Sequence, residues 1–541
     1  VRELVDLVNA DENMGEQHEK PLTKIRLDSI SSAMLKQNHL TADSVPENGR
    51  VVTLRANGNL STGGTAVDCT DRIHPENAKL AVLAAKVIGI DIAGIDMVTE
   101  DISKSISETG GAIVEVNTAP GIRMHLYPSG GTPRNVAKDI VDYLFPPDAQ
   151  YRFPIVSVTG TNGKTTVVRL IAHTLGIFGK HVGMTSTSGT FLNGKCICKG
   201  DHSGPRSART LLSGKEIDCA VLETARGGII REGLGYDLAD VGVVTNIAED
   251  HLGMDGTETL EDLAFVKSLV TESVKRDGFA VLNGDDPMTP FLLERTRAGV
   301  ILFSGSGCMD RRLCQSAAAC VFAEDGWIKI EEEKTQIDLI PVSKIPMTRS
   351  GKITCNIENS LAAAAALYAL RVPADVIAKG LGTFRGNEGR FGLYQVGKFR
   401  VLLDYGHNLP GYRQVIGVCQ NLGGKRLVGV IGMPGDRNDG AIRSVGRLCA
   451  GSFDRIYVKE DADKRGREPL EVARLFYDAI LESGYDRENV RIVENELDAL
   501  KSAVAQAKEG DLIAVLFENL EPLRAYLDSL GGKPADESEM S

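Results

Sequence analysis

The sequence predicts an α/β protein in three parts, and three observations carry that reading. From Pro154 onward, apolar runs of strand length alternate with longer helical stretches, the pattern of a mostly parallel sheet covered by helices. A glycine-rich, lysine-bearing loop sits between the first of those runs and an amphipathic stretch. A second strand–helix alternation begins near Lys398 and reads as a compact doubly wound domain. At 541 residues the chain is too long for one hydrophobic core, so several domains are expected.

Residues 1–147 read as α+β. An alternating stretch at Arg50–Leu54 and a helical one at Pro75–Val87 lead to strand-like runs at Gly94–Val98 and Ala112–Val116. Phe145-Pro-Pro-Asp148 reads as a linker, because consecutive prolines end a helix and extend the chain. The central domain, 148–396, carries strand-length runs at Ile155–Val158, Cys219–Leu222, Val241–Thr245, Phe279–Leu282 and Val300–Phe303. The third, 397–530, carries them at Val401–Asp404, Leu427–Ile431, Arg455–Val458, Val490–Val493 and Leu512–Leu516, with a helix at Pro469–Ser483. Residues 531–541 read as a frayed tail.

Composition narrows the function class. Apolar residues make up 42% and charged residues 25%, ordinary for a soluble globular protein. The net charge of −12, from 61 basic against 73 acidic residues, argues against nucleic acid as a partner. No apolar run reaches membrane-spanning length, and no membrane partner is expected. Ten cysteines are scattered through the chain. The close pair Cys196 and Cys198 lacks a second pair at zinc spacing, so reduced thiols of a cytoplasmic protein are expected. Val1 falls inside what reads as a folded segment, so an N-terminal part of the natural protein is expected to be missing.

The most specific motif is Thr159-Gly160-Thr161-Asn162-Gly163-Lys164-Thr165-Thr166, between the strand Ile155–Val158 and the stretch Val167–Leu175. Polyphosphate binding needs this chemistry. Glycines let backbone amides turn toward the anion, the helix N-terminus adds a favourable dipole, and the lysine neutralises charge. Thr165, after the lysine, is the expected Mg²⁺ ligand and ATP the expected nucleotide. The spacing departs from the general pattern in that Val158 stands where a first glycine would be. This compact form resembles the Mur ligase and folylpolyglutamate synthase superfamily.

Downstream residues extend the resemblance. Glu223 ends an apolar strand, at the edge that faces ligands in α/β sheets, and is expected to share Mg²⁺ with Thr165. His251, in Asn246-Ile247-Ala248-Glu249-Asp250-His251, resembles the family histidine that binds a second metal. Lys267 lies where many Mur ligases carry a carbamylated lysine, although an ordinary surface lysine would look the same. Asn283-Gly284-Asp285-Asp286-Pro287 resembles another family turn. The resemblance implies that Asn359 contacts adenine, Arg390 reaches the phosphates and Asp404 the ribose. It also implies that the loop carrying Asp436 and Arg437 receives the incoming amino acid.

Two stretches, Ala225–Gly235 and Lys459–Arg467, look like the cyanophycin synthetases, the resemblance running from about Val1 to Leu530. One departure is Arg206, where an aromatic residue is usual, which leaves acceptor specificity open. In the first part, Asn59–Gly64 is a polar glycine-rich loop suited to a carboxylate or phosphate. Arg55, Ser61, Gly63, Gly64 and Arg123 are the expected substrate-binding residues there. Glu115 and Asn117 lie two apart on a strand, hence on one face, and with Asp96 would hold Mg²⁺. Glu115–Gly121 resembles the metal motif of ATP-grasp ligases, and the nucleotide-binding lysines of that domain are expected to be absent.

The resemblance implies two ATP-dependent amide-forming reactions through acyl phosphates. The ATP-grasp part adds aspartate to a polymer backbone, and the Mur-like part couples arginine to the aspartate side chain. Aspartate, arginine and the growing primer are the implied partners, and a homo-oligomer, a tetramer, the implied assembly. Other Mur-superfamily ligases and a non-catalytic nucleotide-binding module remain open at this level.

Overall fold

The computed structural model describes residues 1–541 except 17–19, 21, 149–151, 215, 250–252, 254, 308–310, 334 and 536–541. The chain divides into two compact units, Val1–Tyr151 and Arg152–Ser541.

The first unit holds helices at Arg2–Asn9, Ser29–Gln37, Pro75–Ile88 and Val136–Leu144, and an antiparallel ribbon of Gly94–Thr99 with Gly111–Asn117. Pro75 suits the first turn of its helix, where its missing N–H is not needed, and Gly89 in a left-handed conformation ends it. The expected strand at Arg50–Leu54 does not form. Val51 there is exposed and has no ladder partner, and alternation alone makes no strand without one. A short parallel bridge of Met14–Gly15 with Leu22–Thr23, not expected from the sequence, joins two loops.

The second unit contains two sheets. In the eleven-stranded one, Ile155–Thr159 lies between Cys219–Glu223 and Ala239–Val244, parallel to both. Parallel strands continue outward through Val182–Ser186 on one side and through Val274–Asn283, Gly299–Ser304 and Ala319–Glu324 on the other. Antiparallel hairpins close the two edges. These hairpins escaped sequence reading because their short, partly exposed strands carry weak periodicity.

The helix Lys164–Ile177 packs its Val167, Val168, Leu170 and Ile171 against the sheet and against the alanine-rich helix Thr354–Ala369. Small side chains let the two helices approach closely. The loop before Lys164 is therefore fixed at both ends by buried structure.

The seven-stranded sheet runs Val490–Ile492, Arg455–Val458, Leu427–Ile431, Leu512–Leu516, Phe399–Asp404, Gly392–Val396 and Lys533–Pro534. Its first five strands are parallel, as a doubly wound domain requires. The start of the expected tail is instead paired: Lys533 and Pro534 add an edge strand against Gln395 and Tyr394. Among the described residues, no helix is long and apolar enough to cross a membrane.

Candidate nucleotide and metal site

The carboxyl ends of three adjacent strands, Ile155–Thr159, Cys219–Glu223 and Ala239–Val244, meet at the loop 160–163. Gly160 and Gly163 have positive φ, and both are closely approached. A Cβ at Gly160 would fall 1.9 Å from Thr245 Oγ1, and one at Gly163 2.2 Å from Asn359 Oδ1. Only glycine fits either position without displacing a neighbour.

Lys164 Nζ donates to the carbonyls of Gly160 (3.1 Å) and Thr161 (2.9 Å), so the ammonium is curled back over its own loop. Thr165 Oγ1 donates to the Glu223 carboxylate, 3.1 and 2.9 Å from its two oxygens. Glu223 is only 2% exposed. Burial pushes its carboxyl above the ordinary range, opposed by the nearby Lys164 charge and by hydrogen bonds from Thr187 and Thr165. The expected Thr165–Glu223 pair is thus in direct contact across 58 residues of sequence.

Sequence reading missed Thr187. Its backbone N–H donates to Glu223 at 3.1 Å, and its hydroxyl lies 3.1 Å from Thr165 Oγ1. The one available signal was the hydroxyl run Thr185–Ser188 at the end of a buried strand.

Several of the loop's other polar groups are held by neighbouring segments. Thr161 Oγ1 exchanges hydrogen bonds with the Ala248 backbone. Asn162 N donates to Asn246 Oδ1 at 3.0 Å, and Thr245 Oγ1 donates to Asn162 O at 2.6 Å. Asn408, from the other sheet's domain, reaches Asn162 Oδ1 at 3.4 Å. Asn387 Nδ2 likewise donates to Thr166 Oγ1 at 3.0 Å.

Lys267 is not a surface lysine. It is 2% exposed and donates to Thr161 Oγ1 at 2.8 Å. Its helix, Leu260–Glu272, opens with a capping box of Thr259 and Asp262, which sets the register. Leu263, Lys267, Val270 and Thr271 then share the buried face. That spacing was readable in the sequence and would have removed the surface alternative. His251 lies outside the described residues.

At the junction to the third part, Arg390 stacks 5.1 Å from the Tyr405 ring centroid. Asp404 is buried and accepts the Phe391 backbone N–H at 2.9 Å. Burial raises its carboxyl above the ordinary range, against the opposing pull of the Arg390 charge. Asn359, also buried, packs on Gly163 and donates to Asn356 Oδ1.

Arg437 is buried, and Asp436 bridges it to Arg465. Arg467 donates to the carbonyls of Gly435 and Arg437. The loops 435–437 and 459–467 therefore form one charged lattice at the ends of neighbouring parallel strands.

In the first unit, ladder register sets Asp96 opposite Glu115 and Gly94 opposite Asn117. With Asn117 two residues from Glu115, the three expected metal residues share one face of the ribbon. Arg55 pairs with Asp28, and Arg123 donates to the Lys20 carbonyl. A Cβ at Gly64 would fall 1.9 Å from the Gly58 carbonyl oxygen, so the loop is tightly folded on itself, with Ser61 in its short 3-10 turn and Gly63 as the turn's left-handed cap.

Comparison with known proteins places these residues in a family context. The Mur ligase middle domain matches residues 158–367, the Mur ligase glutamate ligase domain 389–516, and the RimK-like ATP-grasp domain 47–144. Cyanophycin synthetase of Synechocystis sp. is 44% identical over 96% of this chain, and that of Crocosphaera subtropica 43% over the same share. This chain spans 60% of the length of each. FolC of E. coli, in complex with ADP, superposes with a TM-score of 0.51 at 19% identity, covering 70% of this chain and 89% of FolC. A pseudomurein peptide ligase type C from Methanothermus fervidus gives 0.51 at 20%, covering 73% and 81%. These two likenesses concern the fold.

Proposed function

The chain belongs to the cyanophycin synthetases, and from that premise we propose that it is an ATP-dependent ligase forming amide bonds in multi-L-arginyl-poly-L-aspartate synthesis. The Mur-like part would couple the α-amine of arginine to an aspartate side chain. The ATP-grasp segment would contribute Asp96, Glu115 and Asn117 to aspartate addition on the backbone. The homotetramer that family resemblance implies belongs to the same reading, as does a cytoplasmic location.

One observation carries the Mur-like half: a buried glutamate in direct contact with the hydroxyl that follows the loop lysine. The residues fit a nucleotide and a divalent cation. Gly160 and Gly163, both at positive φ, let the loop adopt the backbone turn an anion cradle requires. Thr165 and Glu223 are an oxygen donor set suited to a hard cation such as Mg²⁺, with His251 assigned to a second metal by family resemblance. Such a cation neutralises phosphate charge when bound.

The substrate chemistry sets what the chain must do. A carboxylate does not react with an amine at neutral pH, so phosphorylation by ATP first supplies a good leaving group, and the amine then displaces phosphate. Lys164 would exchange its two loop carbonyls for phosphate oxygens and stabilise charge in transit. Lys267 would keep Thr161 and the 246–248 segment in place under the loop. By the same resemblance Arg390, beside Asp404 at the junction, would reach the phosphates and Asp404 the ribose. Asp436 and Arg437 would hold the incoming amino acid, within the lattice of Arg465 and Arg467.

Phosphate release from ATP, with primer, aspartate and arginine omitted one at a time, tests the reading. Release should require both an aspartate-bearing primer and arginine. Turnover indifferent to all three would refute the ligase.

A further inference from the structure

We propose that Cys198 is a site of reversible covalent modification by low-molecular-weight disulfides, with His202 as the base that takes the thiol proton. Cys198 ends the strand Lys195–Cys198 at the outer edge of the central sheet and is exposed. Four residues later the chain has turned back and set His202 Nε2 3.8 Å from Cys198 Sγ. The other ring nitrogen, Nδ1, lies 2.8 Å from the hydroxyl of Thr190. Thr190 stands opposite Cys198 in the neighbouring strand, so the sheet register itself brings nucleophile and orienting hydroxyl to one place.

The arrangement is nucleophile, base and a third group that fixes the base, the geometry of an activated thiol. The imidazole is also held through its backbone, because His202 N donates to the Ser186 carbonyl at 3.0 Å. The thiol's other acceptor, the Lys199 carbonyl at 3.9 Å, can accept a hydrogen bond but cannot take up a proton. His202 is therefore the only partner of Cys198 among these that can activate it.

The other described cysteines differ, Cys314 being half-buried and hydrogen-bonded with Cys320. Cys219, Cys320, Cys355, Cys419 and Cys449 are buried, and burial pushes the thiols of Cys219, Cys320 and Cys419 up to about 12. Cys69 instead lies 3.0 Å from an Arg72 guanidinium nitrogen and donates to the Val67 carbonyl, in an irregular segment of the first unit. Cys196 shares the strand with Cys198 and is half-buried, so it serves as an internal reference.

The step balances without any outside oxidant. His202 takes the Cys198 proton, and the thiolate attacks one sulfur of a disulfide RS–SR. The Cys198–SR bond forms as the S–S bond breaks, and RS⁻ leaves to take up the proton from His202. A second thiol reverses it.

Reaction of the native chain with the aromatic disulfide dithiobis(nitrobenzoic acid), mapped by peptide mass spectrometry across all ten cysteines, tests the proposal. Cys198 should react first, at least about tenfold faster than Cys196, and C198S should lose the fast phase. H202Q should slow it about tenfold, and T190V by a smaller factor, both without change in melting temperature. A Cys198 rate no greater than that of Cys196, or one unchanged in H202Q, would overturn the assignment and leave exposure as the only cause. If H202Q fails to fold, T190V decides, because an unchanged rate in that folded variant overturns it equally.

Discussion

The two units handle their functional side chains in opposite ways. In Arg152–Ser541, Glu223 and Lys267 are buried beside continuous apolar cores, and burial raises the Glu223 carboxyl. In Val1–Tyr151, Asp96 and Glu115 sit exposed on a two-stranded ribbon. The only buried apolar side chains of the first unit are Val5, Leu35 and Leu40 among the described residues. Val87, Val98 and Val114 there are 74%, 63% and 67% exposed. A two-stranded ribbon without a covered face is marginal in water. A site needs a scaffold that can exclude solvent before it can polarise a carboxylate, and only the second unit supplies one by itself.

The largest expected effect lies in local stability. Amides of Gly94–Thr99 and Gly111–Asn117 should exchange with solvent on the order of a thousandfold faster than those of Val156–Val158 and Val241–Val244. Equal protection in a native-state hydrogen-exchange experiment would break the comparison.

Lys164→Ala tests the chemistry on the buried side. Among the described residues its Nζ hydrogen-bonds to the loop carbonyls of Gly160 and Thr161, so melting temperature should hold. Arginine-dependent phosphate release should fall about a hundredfold, since one charge-assisted contact in a water-poor site is worth about 3 kcal/mol. Near wild-type release would remove Lys164 from the mechanism.

Packing sharpens the contrast next. Ile171→Ala, in the core under the loop, should cost about 2–5 kcal/mol in denaturant unfolding. Val114→Ala, on the exposed ribbon, should stay within about 0.5 kcal/mol. Comparable losses would mean that Val114 is covered in solution.

The last contrast, in pH dependence, concerns Glu223. Its folded carboxyl titrates above the unfolded reference value of 4.5, so the native state binds a proton more tightly than the unfolded state. The stability this contributes is present below that reference and lost as pH rises through the raised value. Glu223→Gln does not titrate and keeps an acceptor for Thr165. Its melting temperature should exceed wild type at neutral pH, with the gap closing in acid, while arginine-dependent turnover is abolished. A variant less stable at neutral pH would show that hydrogen bonds to the carboxylate outweigh its burial cost.

Much of this was readable from local pattern. The strands Leu427–Ile431, Arg455–Val458 and Leu512–Leu516 stand at the residues expected, because buried parallel strands are short uninterrupted apolar runs. The phosphate loop was readable because glycine, lysine and threonine are required at fixed offsets. Arg50–Leu54 misled because alternation reports a possible face, not a partner. Lys533–Pro534 was missed because its pairing depends on Gln395 and Tyr394, far away in sequence.

The sequence by itself determined which residue types stand at the ends of which strands, since that depends on neighbours a few positions apart. Only the tertiary structure decided that Thr187 joins Thr165 on Glu223, that Lys267 turns inward to Thr161, that Asn387 reaches Thr166 and that Asn408 reaches the loop from across the junction. Those contacts follow from strand order and helix rotation. Both are settled by burying one apolar face against another, a condition on the whole chain that no local window contains.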